Sequence, residues 1–315
     1  MTPRSSARPV AVIDIGSNSI KTLVADRAPD GSLRSVAEKT LDVRISAGIS
    51  RERPRLTDDS MTRGLEAIRE LVEFAATHSP ARVALVATSA VRDAQNGADF
   101  RKRVRAATGH AIRLLSGAEE AALIGRGLTC DPALGGVRDF YVFDLGGGSL
   151  ECLAFRDRHV AQSLSLQLGC VRLTEKFIAD PATPVPPDES AAIARHTATT
   201  LAGSAFAFSL PAGAVAVGTG GTITTVRAIL AARAGCDILT VDSLIPLDEF
   251  RRLRGELAAM PLERRCHVPG LPEKRADVFP AALTTLIAVA EAGGFAAYRH
   301  SFYNLRFGLA DEALG

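Results

Sequence analysis

The sequence predicts an α/β protein built from two homologous domains that face each other across a cleft. Three observations lead there. The chain has 315 residues, more than a single hydrophobic core ordinarily serves. A strand–turn–strand segment occurs twice: Ile13-Asp14-Ile15-Gly16-Ser17-Asn18-Ser19-Ile20 aligns with Phe143-Asp144-Leu145-Gly146-Gly147-Gly148-Ser149-Leu150. The aspartate, the first glycine and the last serine coincide, and the apolar flanks match in type. Each copy opens a stretch in which short apolar runs alternate with helical periodicity, the pattern of an α/β domain.

The elements follow in order. The apolar run 10–14 stops at the small polar turn 16–19 and resumes over 20–25, which reads as a β-hairpin. Segment 44–49 reads as a loop or short strand. Met61, Leu65, Ile68, Leu71 and Val72 recur at helical spacing within 60–77. A buried strand at 83–87, a basic helix at 97–108, a short strand at 112–115 and a helix at 117–128 complete the first half. In the second half strands are expected at 139–144, 149–155 and 163–168, then a helix at 171–177 and a proline-rich loop at 181–187. A helix over 189–206 precedes a strand at 215–217, which runs into Gly218-Thr219-Gly220-Gly221 and a helix over 222–232. A turn at 269–272 follows, and the chain closes on a helix from about Asn304.

Composition narrows the function classes. Hydrophobic residues make up 47% of the chain and charged residues 23%, enough for two buried cores of an ordinary globular protein. The formal net charge of +2 is too balanced to draw a polyanion by a global field, so any anion must be gripped locally. The basic clusters at 101–105, 251–254 and 264–265 read as solvated helix faces, and no nucleic-acid partner is expected. Five scattered cysteines without a C-x-x-C and six histidines without ligand spacing exclude a zinc knuckle and point to a reducing compartment, the cytoplasm. Residues 1–9 are polar and carry no apolar leader core. The most apolar stretch, 278–297, holds Pro280, two threonines, Glu291 and a Gly-Gly pair. It reads as a buried helix and a turn, so no membrane span is expected.

The chemistry sits in the turns. Glycine lacks the Cβ that would bar close backbone approach, so successive N–H groups can converge on an anion. An aspartate at the strand end can hold hydrated Mg²⁺, or Mn²⁺, that bridges phosphate oxygens. Asp14 and Asp144 take that place in the two copies. Gly218-Thr219-Gly220-Gly221 lies between a strand and a helix and aims amides at a ligand; no Gly-Lys-Ser or Gly-Lys-Thr follows, so it is no Walker loop. Ser116 and Glu119 have capping-box spacing, which gives Glu119 a structural task. Glu120 is then either a first-turn acid serving the helix dipole or a base for an attacking water. Arg92, just past the strand ending near Thr88, is either a surface residue or the cation that phosphoryl transfer requires.

These residues resemble the exopolyphosphatase / guanosine pentaphosphate phosphohydrolase (Ppx/GppA) family of the actin-like ATPase superfamily, over nearly the whole chain. Segment 11–19 looks like the family's first phosphate loop, and 143–151 like its second. Thr88 and Arg92 through Asn96 and Phe100, and the Glu119-Glu120 segment, match in order. So do 168–175, 218–222, Arg275-Ala276-Asp277 and 305–309. The resemblance implies two actin-like (ribonuclease H-like) domains facing a cleft, at 8–128 and 136–303, with the helix 304–315 packing back on the first. It implies Glu120 as the general base, Arg92 on the phosphoryl group, and Asp14 and Asp144 as holders of Mg²⁺ or its waters. Ser17, Asn18, Ser19, Gly146, Gly147, Gly148, Ser149, Gly220 and Gly221 would grip phosphates, and Glu151 would help orient water or metal. Longer members continue into helical, HD-type C-terminal domains, so this chain looks like a short form. Ile20-Lys21 departs from the usual pair after the first loop.

The expected reaction is in-line attack by water on the terminal phosphoryl of inorganic polyphosphate and of guanosine penta- or tetraphosphate. The reading admits a homodimer. Two alternatives stay open: an actin-like kinase or ATPase module, and a non-catalytic sensor that binds guanosine polyphosphates.

Overall fold

The computed structural model describes residues 8–315; the polar stretch read at 1–9 lies mostly outside them. The chain divides into two compact units. One runs to Leu134 and also takes in Tyr303–Gly315, and the other is Gly135–Phe302.

The first unit opens on β1 (Val10–Ile15), β2 (Ser19–Arg27) and β3 (Leu33–Asp42), an antiparallel meander. Helix α1 (Asp58–Ala76) follows, then β4 (Arg82–Ala87), α2 (Ser89–Asp93), α3 (Gly97–Thr108), β5 (Ile112–Leu114) and α4 (Gly117–Thr129). β4 lies parallel to β1 and β5 parallel to β4, which gives the sheet order β3-β2-β1-β4-β5. β1 is apolar almost throughout because both its faces are covered. α1 starts where Thr57 accepts a hydrogen bond from Ser60 N and where Asp58 and Asp59 meet the positive helix end; it buries Met61, Ile68, Leu71 and Ala75. Of the two readings of 44–49, loop or short strand, the loop holds: Arg44 enters it with a left-handed backbone, φ 46°, and 45–50 turn.

The second unit repeats the plan. β6 (Phe140–Leu145), β7 (Leu150–Arg156) and β8 (His159–Leu166) form the meander. After it come α5 (Cys170–Phe177), α6 (Pro187–Ala202), β9 (Val215–Thr219), α7 (Gly220–Ala234), β10 (Leu244–Pro246) and α8 (Leu247–Ala258). Then follow α9 (Leu262–Arg265), α10 (Phe279–Gly293) and β11 (Ala297–His300). The sheet order is β10-β11-β9-β6-β7-β8, the same succession as in the first unit with β10 added at one edge. α10 is buried from Phe279 to Ala290 without interruption, an apolar helix at the centre of a core. Tyr141, Phe143, Phe206, Phe208, Phe295 and Tyr298 pack as an aromatic cluster, and the Tyr298 hydroxyl donates to Leu286 O at 2.7 Å. The basic run of α8 is a solvated face, with Arg251 and Arg252 paired to Asp248, Glu249, Glu256 and Glu291. Among the described residues no helix is long and apolar enough to cross a membrane.

The last helix, α11 (Leu305–Leu314), belongs to the first unit. It packs on α4, β1 and β2. Two glycines permit the approach: a Cβ on Gly127 would lie 2.1 Å from Asn304 O, and one on Gly308 1.8 Å from Leu123 O. Arg306 Nη1 donates to Thr22 O at 3.2 Å and to Glu38 Oε2 at 2.9 Å, and Asp311 pairs with Arg27 and Arg126. Gly308→Ala should therefore lower stability by about 3 kcal/mol, the upper end of the usual overpacking cost, because backbone rather than a side-chain tip must move. Thermal melting checks this against Gly136→Ala, whose Cβ meets nothing within 4 Å and which should melt unchanged.

Candidate functional site

In the first unit Asp14 ends β1 half-buried between fully buried neighbours, and Gly16 N donates to Ser19 O at 3.2 Å to close the turn. Ser17, Asn18 and Ser19 are buried within it. The Ser17 and Ser89 hydroxyls are 3.0 Å apart, which ties the turn to the start of α2. Asn18 O accepts from Val43 N and Arg44 N, and Arg44 Nε donates to Asn18 Oδ1 at 3.2 Å. The strained Arg44 thus clamps the first turn, a role no local pattern in the sequence discloses. Asp14 Oδ1 is buried without a hydrogen-bond partner. Burial raises the Asp14 pKa above the ordinary carboxylate value, while Lys21 and Arg306 act against that rise.

Beside this turn α2 carries Arg92 and α4 carries Glu120. Arg92 Nη1 donates to Glu120 Oε2 at 3.0 Å and to Leu115 O at 3.1 Å, and Glu120 is only 6% exposed. The neighbouring carboxylate does something else. Glu119 Oε2 accepts from Ser116 N at 2.9 Å while Ser116 Oγ accepts from Glu119 N at 3.2 Å, a complete capping box. Those hydrogen bonds hold the exposed Glu119 carboxyl below its usual pKa.

The second unit carries the counterpart turn, closed by Gly146 N to Ser149 O at 3.0 Å. Its carbonyls all have partners on one side. Gly146 O accepts from Cys170 N, Gly147 O from Val171 N and Arg172 N, and Gly148 O from Arg172 Nε at 2.9 Å. In a trans peptide the C=O and the following N–H point in opposite directions. The amides of Gly147, Gly148 and Ser149 are therefore aimed together, away from α5, as a nest for an anion. Gly169 makes this packing possible, since a Cβ there would fall 2.2 Å from Gly148 C and 2.3 Å from Gly147 O.

Asp144 ends β6 next to this nest. Gly220, at φ +82°, lies so close that a Cβ would sit 2.0 Å from Asp144 Oδ1. Thr222 Oγ1 donates to Leu145 O at 3.1 Å and holds the first turn of α7 to β6. Across the ladder from Asp144 stands Glu151, buried and accepting from Ser165 Oγ at 2.8 Å. A Cβ on Gly221 would lie 2.3 Å from Arg275 Nη1, so that guanidinium covers the start of α7. Arg275 was visible only as part of a matching segment, because contact with Gly221 is set by the fold and not by spacing.

The repeat makes the two hairpins comparable residue by residue. Asp14 is opposite Lys21 and Asp144 is opposite Glu151, in the same register. Two carboxylates directly across a ladder repel unless a cation lies between them. In the second unit Asp144 and Glu151 would be the residues to hold a divalent ion, whereas in the first unit Lys21 stands at the equivalent place. No group of three or more His, Cys, Asp or Glu occurs among the described residues, so such an ion would complete its shell with water and substrate oxygens, as Mg²⁺ does.

An exopolyphosphatase from Cytophaga hutchinsonii is similar at 24% identity and a TM-score of 0.86, with 97% of each chain covered. The Ppx/GppA family member of Aquifex aeolicus is similar at 25% identity and a TM-score of 0.77, again with 97% of each chain covered. Each unit is thus an α/β domain with the same strand succession, and the chain shares the fold of these neighbours. The model of the Ppx/GppA phosphatase family matches residues 23–315. The first hairpin turn precedes that span, and its correspondence to the second rests on the shared register. With 293 of 315 residues matched (23 to 315 inclusive), the chain belongs to the Ppx/GppA phosphatase family.

Proposed function

We propose that the chain is an exopolyphosphatase: it releases the terminal phosphate of inorganic polyphosphate by in-line attack of water, and acts on guanosine pentaphosphate by the same route. The observation that carries this reading is the nest at 147–149, three amides held in one direction beside a pair of opposed carboxylates. The nest suits a chain phosphate, and the amides at the start of α7 with the Arg275 guanidinium suit a second. Within the first unit, Arg92 and Glu120 are the pair suited to chemistry at a phosphorus. Arg92 neutralises charge spread over the phosphoryl oxygens, and Glu120 accepts the proton of the attacking water. Arg92 is also what orients Glu120 before substrate arrives. Asp144 and Glu151 would hold Mg²⁺ or Mn²⁺ in the second unit. When bound, the ion would neutralise phosphate charge.

The test is phosphate release from polyphosphate, guanosine pentaphosphate, guanosine tetraphosphate and ATP, side by side, with and without excess chelator. Polyphosphate should be cleaved, and the chelator should lower its turnover by about tenfold or more. Release from ATP alone would replace this reading with an ATPase module. Tight binding of guanosine polyphosphates without release would replace it with a sensor. Unchanged turnover in chelator would remove the metal.

A further inference from the structure

His300 closes β11 and is 5% exposed, and both its ring nitrogens are engaged. Arg227 donates from Nη1 to Nδ1 at 3.3 Å, and Nε2 is 3.1 Å from Thr224 Oγ1. A guanidinium has no acceptor, so Nδ1 receives and Nε2 carries the proton. Burial, and then Arg227, press the His300 pKa down to about 3, so the ring is neutral in this arrangement. The Thr224 hydroxyl accepts from Nε2 and donates its own proton to Gly220 O at 2.8 Å. Arg227 is itself fixed: it donates to Val241 O and lies 5.4 Å from the Phe302 ring. All donors in this series therefore run one way, from a buried cation to a single carbonyl.

That carbonyl belongs to the peptide whose N–H is on Gly221. The amide is in the first turn of α7, where no intrahelical acceptor exists, and it lies under the Arg275 guanidinium. A hydrogen bond accepted at C=O polarises the amide and strengthens N–H as a donor. We propose that His300 is a positioning residue for phosphate binding: with Arg227 and Thr224 it orients and polarises the Gly220–Gly221 peptide. This rests on the polyphosphatase reading above. Thr224 alone could bond back to Gly220 as threonines in helices do. The histidine and the buried arginine turn that local bond into the end of a relay.

The test uses the full chain with Mg²⁺ and tripolyphosphate, measuring kcat and KM by phosphate release and affinity by calorimetry. His300→Phe keeps the ring volume and removes both nitrogens. Thr224→Val keeps the shape and removes the hydroxyl. Each should raise KM and the dissociation constant by about five- to tenfold while kcat stays within about twofold, the effect of one weakened hydrogen bond to a charged ligand. The double variant should be no worse than either single one, because both cut the same relay. His300→Gln and Thr224→Ser should recover most of the affinity. Should His300→Phe fail to fold, Thr224→Val reads the relay at its other end. An active wild type whose single variants bind tripolyphosphate unchanged, or whose double variant multiplies the two losses, overturns the relay alone. A wild type that neither binds nor cleaves tripolyphosphate overturns the polyphosphatase reading and the relay with it.

Discussion

Glu120→Gln should lose about two to four orders of magnitude in turnover on polyphosphate, the span that general-base catalysis ordinarily contributes. The substitution is nearly isosteric. Its amide oxygen can still accept from Arg92 Nη1, which now sits 3.0 Å from Glu120 Oε2 and also holds Leu115 O. Geometry is therefore kept, and what disappears is the charge and the ability to take a proton. Affinity should hold or rise slightly, since a negative charge near bound phosphate is gone. The adjacent residue is the control. Successive helical residues point about 100° apart, and here one carboxylate is buried on Arg92 while the other closes a capping box at the surface. Glu119→Gln can still cap Ser116 and should keep most activity; its exposed pairing with Arg113 is worth little. If Glu120 merely serves the helix dipole, its substitution costs about 0.3–1 kcal/mol of stability and leaves turnover normal. Turnover and melting of both variants, measured together, separate these outcomes.

Gly220→Ala should damage both activity and stability, for two separate reasons. At φ +82° an alanine is strained by about 1 kcal/mol. Its Cβ would also fall 2.0 Å from Asp144 Oδ1, so the carboxylate must leave its place at the end of β6. A displacement of that order near the reacting group costs about a hundredfold in turnover. Gly235 ends the same helix at φ +63° with nothing within 4 Å of an added Cβ. Gly235→Ala therefore carries the backbone strain alone, and it should melt a few degrees lower with normal kcat/KM. Equal kinetics for the two variants would mean that the place of the Asp144 carboxylate is immaterial.

How far the sequence disclosed these features depended on how local they are. Both hairpins were legible because strand, turn and strand are contiguous and the turn needs small residues for its backbone. The capping box was legible for the same reason. Arg92 and Glu120 each kept two readings, since their pairing joins residues 28 apart through the fold. That Lys21 and Glu151 hold equivalent places, one residue beyond the aligned repeat, became clear only with the strand register. β3 went unread because it is an edge strand: of its residues only Leu33 is buried, so no apolar alternation marks it. The helix expected over 189–206 stops at Ala202, where Gly203 ends the run and Ser204 Oγ takes up Leu201 O. Helical periodicity does not reveal such a stop when apolar residues continue past it.

The seating of α11 inverts the order in which the chain is made and completed. A ribosome delivers β1, β2 and α4 first, yet the surface they share stays open until Leu309 and Ala310 have been added. By then every residue of the second unit has been synthesised, and that unit is continuous in sequence and can close by itself. During synthesis the older half of the molecule is therefore the unfinished one, with the face that α11 covers still open. The close contact at Gly127 and Gly308 acts as a late fastening, made only once the chain has been translated past Gly308.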